Sequence, residues 1–131
     1  MEKTKGQYMQ LLLLMAAFFG ATGVALGAFG AHGLADILET NGREDTFRTA
    51  TLYYLVHALA LFGLGILATQ VNSSLLSYAG YAFVAGIVLF SGSLYILSIF
   101  DVRIMGAIAP IGGTAFIIGW VLLGVVAWQS G

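Results

Sequence analysis

No charge interrupts the chain from Gly6 to Ala35, from Thr49 to Phe100 or from Ile104 to Gly131, and each of these stretches is rich in Leu, Ile, Val, Phe and Ala. Crossing the ~30 Å hydrocarbon core of a bilayer takes about 20 apolar helical residues. The outer stretches therefore hold one span each. The middle one holds two, divided at the polar run Gln70-Val71-Asn72-Ser73-Ser74. The predicted spans are residues 8–30, 49–68, 75–99 and 104–128 of a single 1–131 transmembrane domain. Only helices or closed barrels satisfy their own backbone in lipid. Barrel strands alternate in polarity, whereas these segments are continuously apolar. The expected fold is all-α: an integral membrane four-helix transmembrane bundle with both termini on one side.

The connections differ in kind. Gln70–Ser74 and Asp101–Arg103 are short turns, so spans two, three and four are expected to be antiparallel neighbours. The connection from Ala31 to Arg48 is longer and holds most of the charge. Within it Leu34, Ile37 and Leu38 have helical spacing against Asp36 and Glu39, and Asn41-Gly42 supplies a stop. This predicts a short interfacial helix after the first span. Asp45 or Thr46 is the expected N-cap of the second long helix.

Composition removes whole classes of function. The chain is 60% hydrophobic and 8% charged, with mean hydropathy +0.95, against about 25% charged residues in a soluble domain. A net charge of −1 without a basic run excludes nucleic acid as a partner. Without cysteine there is no disulfide, thiolate nucleophile or sulfur metal site. Lys3 and Lys5 before Leu11–Met15 resemble a signal peptide, but the apolar run continues to Ala31, past the usual 7–15-residue core. An uncleaved first span is the better reading. Lys3 and Lys5 on one side against Arg43, Arg48 and Arg103 on the other leave orientation undecided by the positive-inside rule.

Gly20, Gly23, Gly27 and Gly30 fall within about a quarter of the first helix at 100° per residue. Such a stripe lets another helix approach to backbone contact, either within the chain or in a second copy. A homo-oligomer is thus one expectation, alongside membrane lipid as the surrounding partner. His32 closes the first span and His57 lies inside the second, with Tyr53 four residues before it on the same face. An ionisable residue within a span is a functional hypothesis by default. The imidazolium is disfavoured in lipid, so His57 is expected to be neutral, bonded to a hydroxyl and facing the other helices.

Topology gathers His32, Tyr53, Tyr54, His57, Ser91, Ser93, Tyr95 and Pro110 into one leaflet, opposite a half built mostly of aliphatic residues. A polar half-pocket and plain inter-helix hydrogen bonding both fit this asymmetry. Pro110 removes a backbone donor and frees the carbonyl of Gly106, which predicts a kink or loosened first turn. Trp128 is placed as an interfacial anchor, and Trp120 lies deeper. No nucleotide loop, zinc spacing or Ser/His/Asp set appears, and Asp101 and Arg103 are expected in solvent at a turn.

Four motifs in order, Gly27-Ala28-Phe29-Gly30-Ala31-His32-Gly33-Leu34, His57-Ala58-Leu59-Ala60-Leu61, Phe90-Ser91-Gly92-Ser93-Leu94-Tyr95 and Gly106-Ala107-Ile108-Ala109-Pro110-Ile111-Gly112-Gly113 followed by Gly119-Trp120, resemble the YwdK/YgdD family of small four-span membrane proteins. The resemblance covers almost the whole chain and implies a multi-pass protein of the bacterial inner membrane, with no activity attached. Ala109 departs from the family, where a Thr or similar residue is expected before the proline. The leading expectation is a non-enzymatic protein whose polar cluster (His32, Tyr53, His57, Ser91, Ser93, Tyr95, Pro110) binds a small molecule, lipid or partner, without cofactor or metal. The alternatives are a proton-coupled or small-solute transporter component, or a membrane enzyme subunit with a His-ligated haem or metal.

Overall fold

A computed structural model describes residues 2–131. It is an all-helical membrane bundle. Helix α1 spans Glu2–His32, α2 Ala35–Asn41 and α3 Glu44–Gln70. The third rod is composite: α4 (Leu75–Gly86), a π turn (Ile87–Ser91) and α5 (Gly92–Phe100) run on without a break, and α6 spans Met105–Ser130. Four of these rods are long and apolar enough to cross a membrane. The short helix predicted after the first span is α2.

Helix α1 packs along α3, the third rod packs along α6, and α3 joins the two pairs by lying against α4, the π turn and α5. The core follows this layout. Leu12, Leu61, Leu64, Leu76, Phe83 and Ile87 are almost fully enclosed between rods, while Leu14, Phe18, Leu59, Ile111, Ile117 and Val121 face outward. In water such exposure would be costly. In lipid it costs little, because acyl chains are as apolar as leucine.

The glycines set the helix spacing. A methyl group at Gly23 would meet Tyr54 and Leu55, one at Gly27 would meet Thr51, and one at Gly30 would collide with the Phe47 ring. The stripe therefore faces α3 of the same chain, with Gly20 alone in open space. On the other side of the bundle, a methyl at Gly112 of α6 would strike the backbone of Leu89 and Phe90. The π turn and α6 touch main chain to main chain.

One local expectation is corrected. The start of α3 is Glu44, with Arg43 as its N-cap and no side-chain cap bond, so neither Asp45 nor Thr46 caps it. Acidic Glu44 and Asp45 in the first turn instead complement the helix dipole. Pro110 lies inside α6, which continues through it to Ser130. It has no N–H to offer the Gly106 carbonyl. Asp101 and Arg103 are exposed at the turn, as expected; Asp101 also ends α5 in the left-handed region at φ 52° and accepts a salt bridge from Arg43 at 3.2 Å. Gly42, at φ 62°, is the stop for α2 that Asn41-Gly42 predicted.

Candidate functional site

His57 is 3% exposed and faces the bundle interior. Its Nδ1 lies 2.7 Å from the carbonyl oxygen of Tyr53, and Trp120 of α6 donates its indole N–H to His57 Nε2 at 3.0 Å. A carbonyl only accepts and an indole N–H only donates, so these two partners select the neutral tautomer with the proton on Nδ1. The expected hydroxyl partner is thereby corrected. The Tyr53 contribution is its carbonyl one turn back, and its ring lies roughly parallel to the imidazole at a centroid distance of 6.2 Å.

Aromatic rings close around this pair. Phe116 stacks face to face on His57 at 3.6 Å and 11°. Phe83 approaches the imidazole at 5.3 Å and the indole at 5.1 Å. Phe90, supplied by the π turn, packs on Tyr53 at 4.7 Å and on Phe116 at 5.6 Å. Long rings thus bridge α3 and α6, which are held apart by the third rod. Offset or edge contacts of this kind add about 0.5–1.5 kcal/mol each beyond area burial.

The other polar residues are also committed. Ser91, fully buried, donates to the Ala50 carbonyl of α3 at 2.8 Å. A π turn inserts an extra residue into the helical repeat, and this rotation aims Ser91 at α3 and Phe90 at the rings. Ser93 donates to the Phe90 carbonyl at 2.9 Å. The Tyr95 hydroxyl and Thr51 are 2.8 Å apart, and the Tyr54 hydroxyl and Thr22 are 2.6 Å apart. Thr22 already donates to Phe18, so Tyr54 is the donor in that pair.

The polar cluster therefore does not form one open half-pocket. His57, Ser91 and Tyr95 bond between rods, Ser93 bonds within its own rod, and Tyr53, itself exposed, lends only its carbonyl; His32 and Pro110 are exposed and stand apart. Among the described residues no group of three or more His, Cys, Asp or Glu side chains is placed to hold a metal ion. Sequence reasoning missed Trp120 as the partner of His57, and missed the rings of Phe83, Phe90 and Phe116. A tryptophan too deep for an interfacial anchor was the available signal.

The open space lies next to this cluster. A cavity of about 440 Å³ sits where α1 ends, α2 crosses and α3 begins. Gly27, Gly30 and Ala31 form one wall, Leu38 and Phe47 lie behind, and Glu44, Arg48 and Thr51 supply its polar atoms. Helix α2 is anchored above it. Asn41 donates to the carbonyls of Ser98 and Ile99 at 3.1 and 3.0 Å, and Arg43 reaches Asp101.

Residues 26–113 match the family model described as "Protein of unknown function (DUF423)". The chain is 42% identical over 120 residues to the UPF0382 membrane protein YwdK of Bacillus subtilis, covering 91% of this chain and 97% of that one. It is 43% identical over 117 residues to a UPF0382 membrane protein of Staphylococcus epidermidis, covering 88% and 93%. The chain belongs to the DUF423 family. No solved structure matches it. In this DUF423 protein the matched segment takes in the cavity, the π turn and Gly112, while Phe116 and Trp120 lie beyond it.

Proposed function

We propose that this DUF423 chain is a non-enzymatic, multi-pass protein of the bacterial inner membrane that holds an amphipathic small molecule or lipid in the cavity between α1, α2 and α3. The observation that carries this reading is the cavity itself. Its volume of about 440 Å³ falls within the roughly 300–1,000 Å³ typical of ligand sites. Glu44 and Arg48 stand at its charged end, and Gly27, Ala31 and Leu52 line its apolar side. A binding role is supported over an enzymatic one by the state of His57, whose two nitrogens are both engaged by Tyr53 and Trp120. Helical spans support the inner membrane, since outer-membrane spans are characteristically barrels.

A photoreactive alkyl amphiphile tests the reading. Crosslinks should concentrate on peptides containing Ala31 and Leu52, and Ala31→Phe, which fills the cavity, should reduce them severalfold. Labelling spread evenly over the lipid-facing residues of α6 and unchanged by Ala31→Phe would sink it.

A further inference from the structure

The cavity has a neighbour in the same seam. Leu55 lines the cavity and also lines a second, almost wholly apolar groove of about 710 Å³ deeper in the same α1/α3 seam. Ala17, Gly20 and Val24 of α1 and Leu59 and Phe62 of α3 wall that groove. It exists because α1 presents so little side chain there: a methyl at Gly20 would find no atom within 4 Å. A charged chamber at the interface thus lies in line with an apolar trough toward the membrane centre, with Leu55, packed against Gly23, between the two.

The chamber carries both signs of charge. Glu44 and Arg48 are four residues apart on α3, hence on one face. Among the described residues Glu44 has no ion-pair partner. Arg48 approaches Asp45 at 3.6 Å, but these side chains are 79% and 99% exposed. A pair so fully solvated contributes little and leaves the guanidinium free to take a phosphate through two parallel hydrogen bonds.

We infer that the occupant is a zwitterionic phospholipid with a primary ammonium headgroup, its phosphate on Arg48, its ammonium on Glu44 and one acyl chain in the trough past Leu55. This inference rests on the amphiphile-binding reading above and specifies its ligand. A headgroup without a cation leaves Glu44 facing phosphate. A choline headgroup has no N–H to donate to the carboxylate. The ethanolamine type satisfies both side chains.

Native mass spectrometry of the full chain tests this, after delipidation in detergent and exposure to equimolar dioleoyl phosphatidylethanolamine, phosphatidylcholine and phosphatidylglycerol. The expected result is one phosphatidylethanolamine retained per chain, at least fivefold over the other two. Glu44→Gln should bring that preference close to one. Arg48→Gln should lower retention of all three lipids. Gly20→Leu, whose side chain enters open space, should reduce all retention at least fivefold with helicity and melting temperature not lowered. Equal retention of the three lipids, still abolished by Gly20→Leu, would overturn the headgroup assignment and leave amphiphile binding standing. Retention indifferent to both Gly20→Leu and Ala31→Phe would overturn both.

Discussion

At the scale of single residues, His57 and Trp120 form a donor–acceptor pair that no aliphatic substitute reproduces. Hydrogen bonds between membrane helices average about 0.6 kcal/mol and reach about 1.7. Removing one partner of a buried pair adds the cost of the group left unpaired. Trp120→Phe, which keeps most of the ring but strands Nε2, should therefore cost about 1.5 kcal/mol in detergent unfolding. The same change made on a His57→Phe background should cost clearly less; equal costs would show that the bond contributes nothing. Gly112 and Gly20 make a second residue-scale contrast. Gly112→Ala sets a methyl against the Leu89 and Phe90 backbone, which cannot rotate away as a side chain can. It should cost at least the roughly 1–3 kcal/mol of an overpacked core. Gly20→Ala meets nothing and should gain up to about 0.5–1 kcal/mol from helix propensity. Thermal unfolding of the two variants side by side checks both signs.

At the scale of elements, α2 is too short to be a stable helix by itself. Leu38, buried at 3%, and the bonds from Asn41 to the last carbonyls of α5 hold it over the cavity. Those carbonyls have no helical partner of their own, so the amide side chain meets a demand already present. Asn41→Ala should cost about 1 kcal/mol and speed hydrogen exchange across Ala35–Asn41 more than in the four long rods. Uniform exchange throughout would mean that α2 is held by other contacts. The π turn belongs to this scale as well. Its five residues, Ile87–Ser91, let α6 close on the backbone at Gly112 while turning Ser91 toward α3.

At the scale of the whole molecule, three of the four stripe glycines are spent on the α1–α3 contact. Gly23→Leu combined with Gly27→Leu should therefore prevent folding of the single chain, rather than release folded protomers from an oligomer. Native-like helicity and melting in the double variant would show that α1 packs elsewhere. The topology makes a further statement. Because the chain has no cysteine, single cysteines can report sidedness. Thr40→Cys and Arg103→Cys should react with an impermeant maleimide from one face of a sealed vesicle, and Gln70→Cys and Ser73→Cys from the other. Labelling of Thr40→Cys and Gln70→Cys from the same face would contradict four antiparallel spans.

Much of this architecture was legible in the residues themselves. Charge-free runs of span length, the polar break at Gln70–Ser74 and the Asn41-Gly42 stop determine four rods and a short surface helix, because lipid penalises every charge and every unpaired backbone group. Residue type and spacing also marked His57, Ser91 and the glycine stripe as positions of consequence. What they could not determine was which groups meet. Trp120 is 63 residues from His57 and Ser91 is 41 from Ala50, and no local pattern encodes those separations. The π turn lies where α6 meets the backbone at Gly112, and nothing in the hydropathy of Ile87–Ser91 marks it. Whether one leaflet's polar residues would line a pocket or bond to one another depended on how closely the rods packed. Tertiary structure alone decided that, bonding Ser91, Tyr95 and Tyr54 across the bundle and leaving the open volume beside them in the α1/α3 seam.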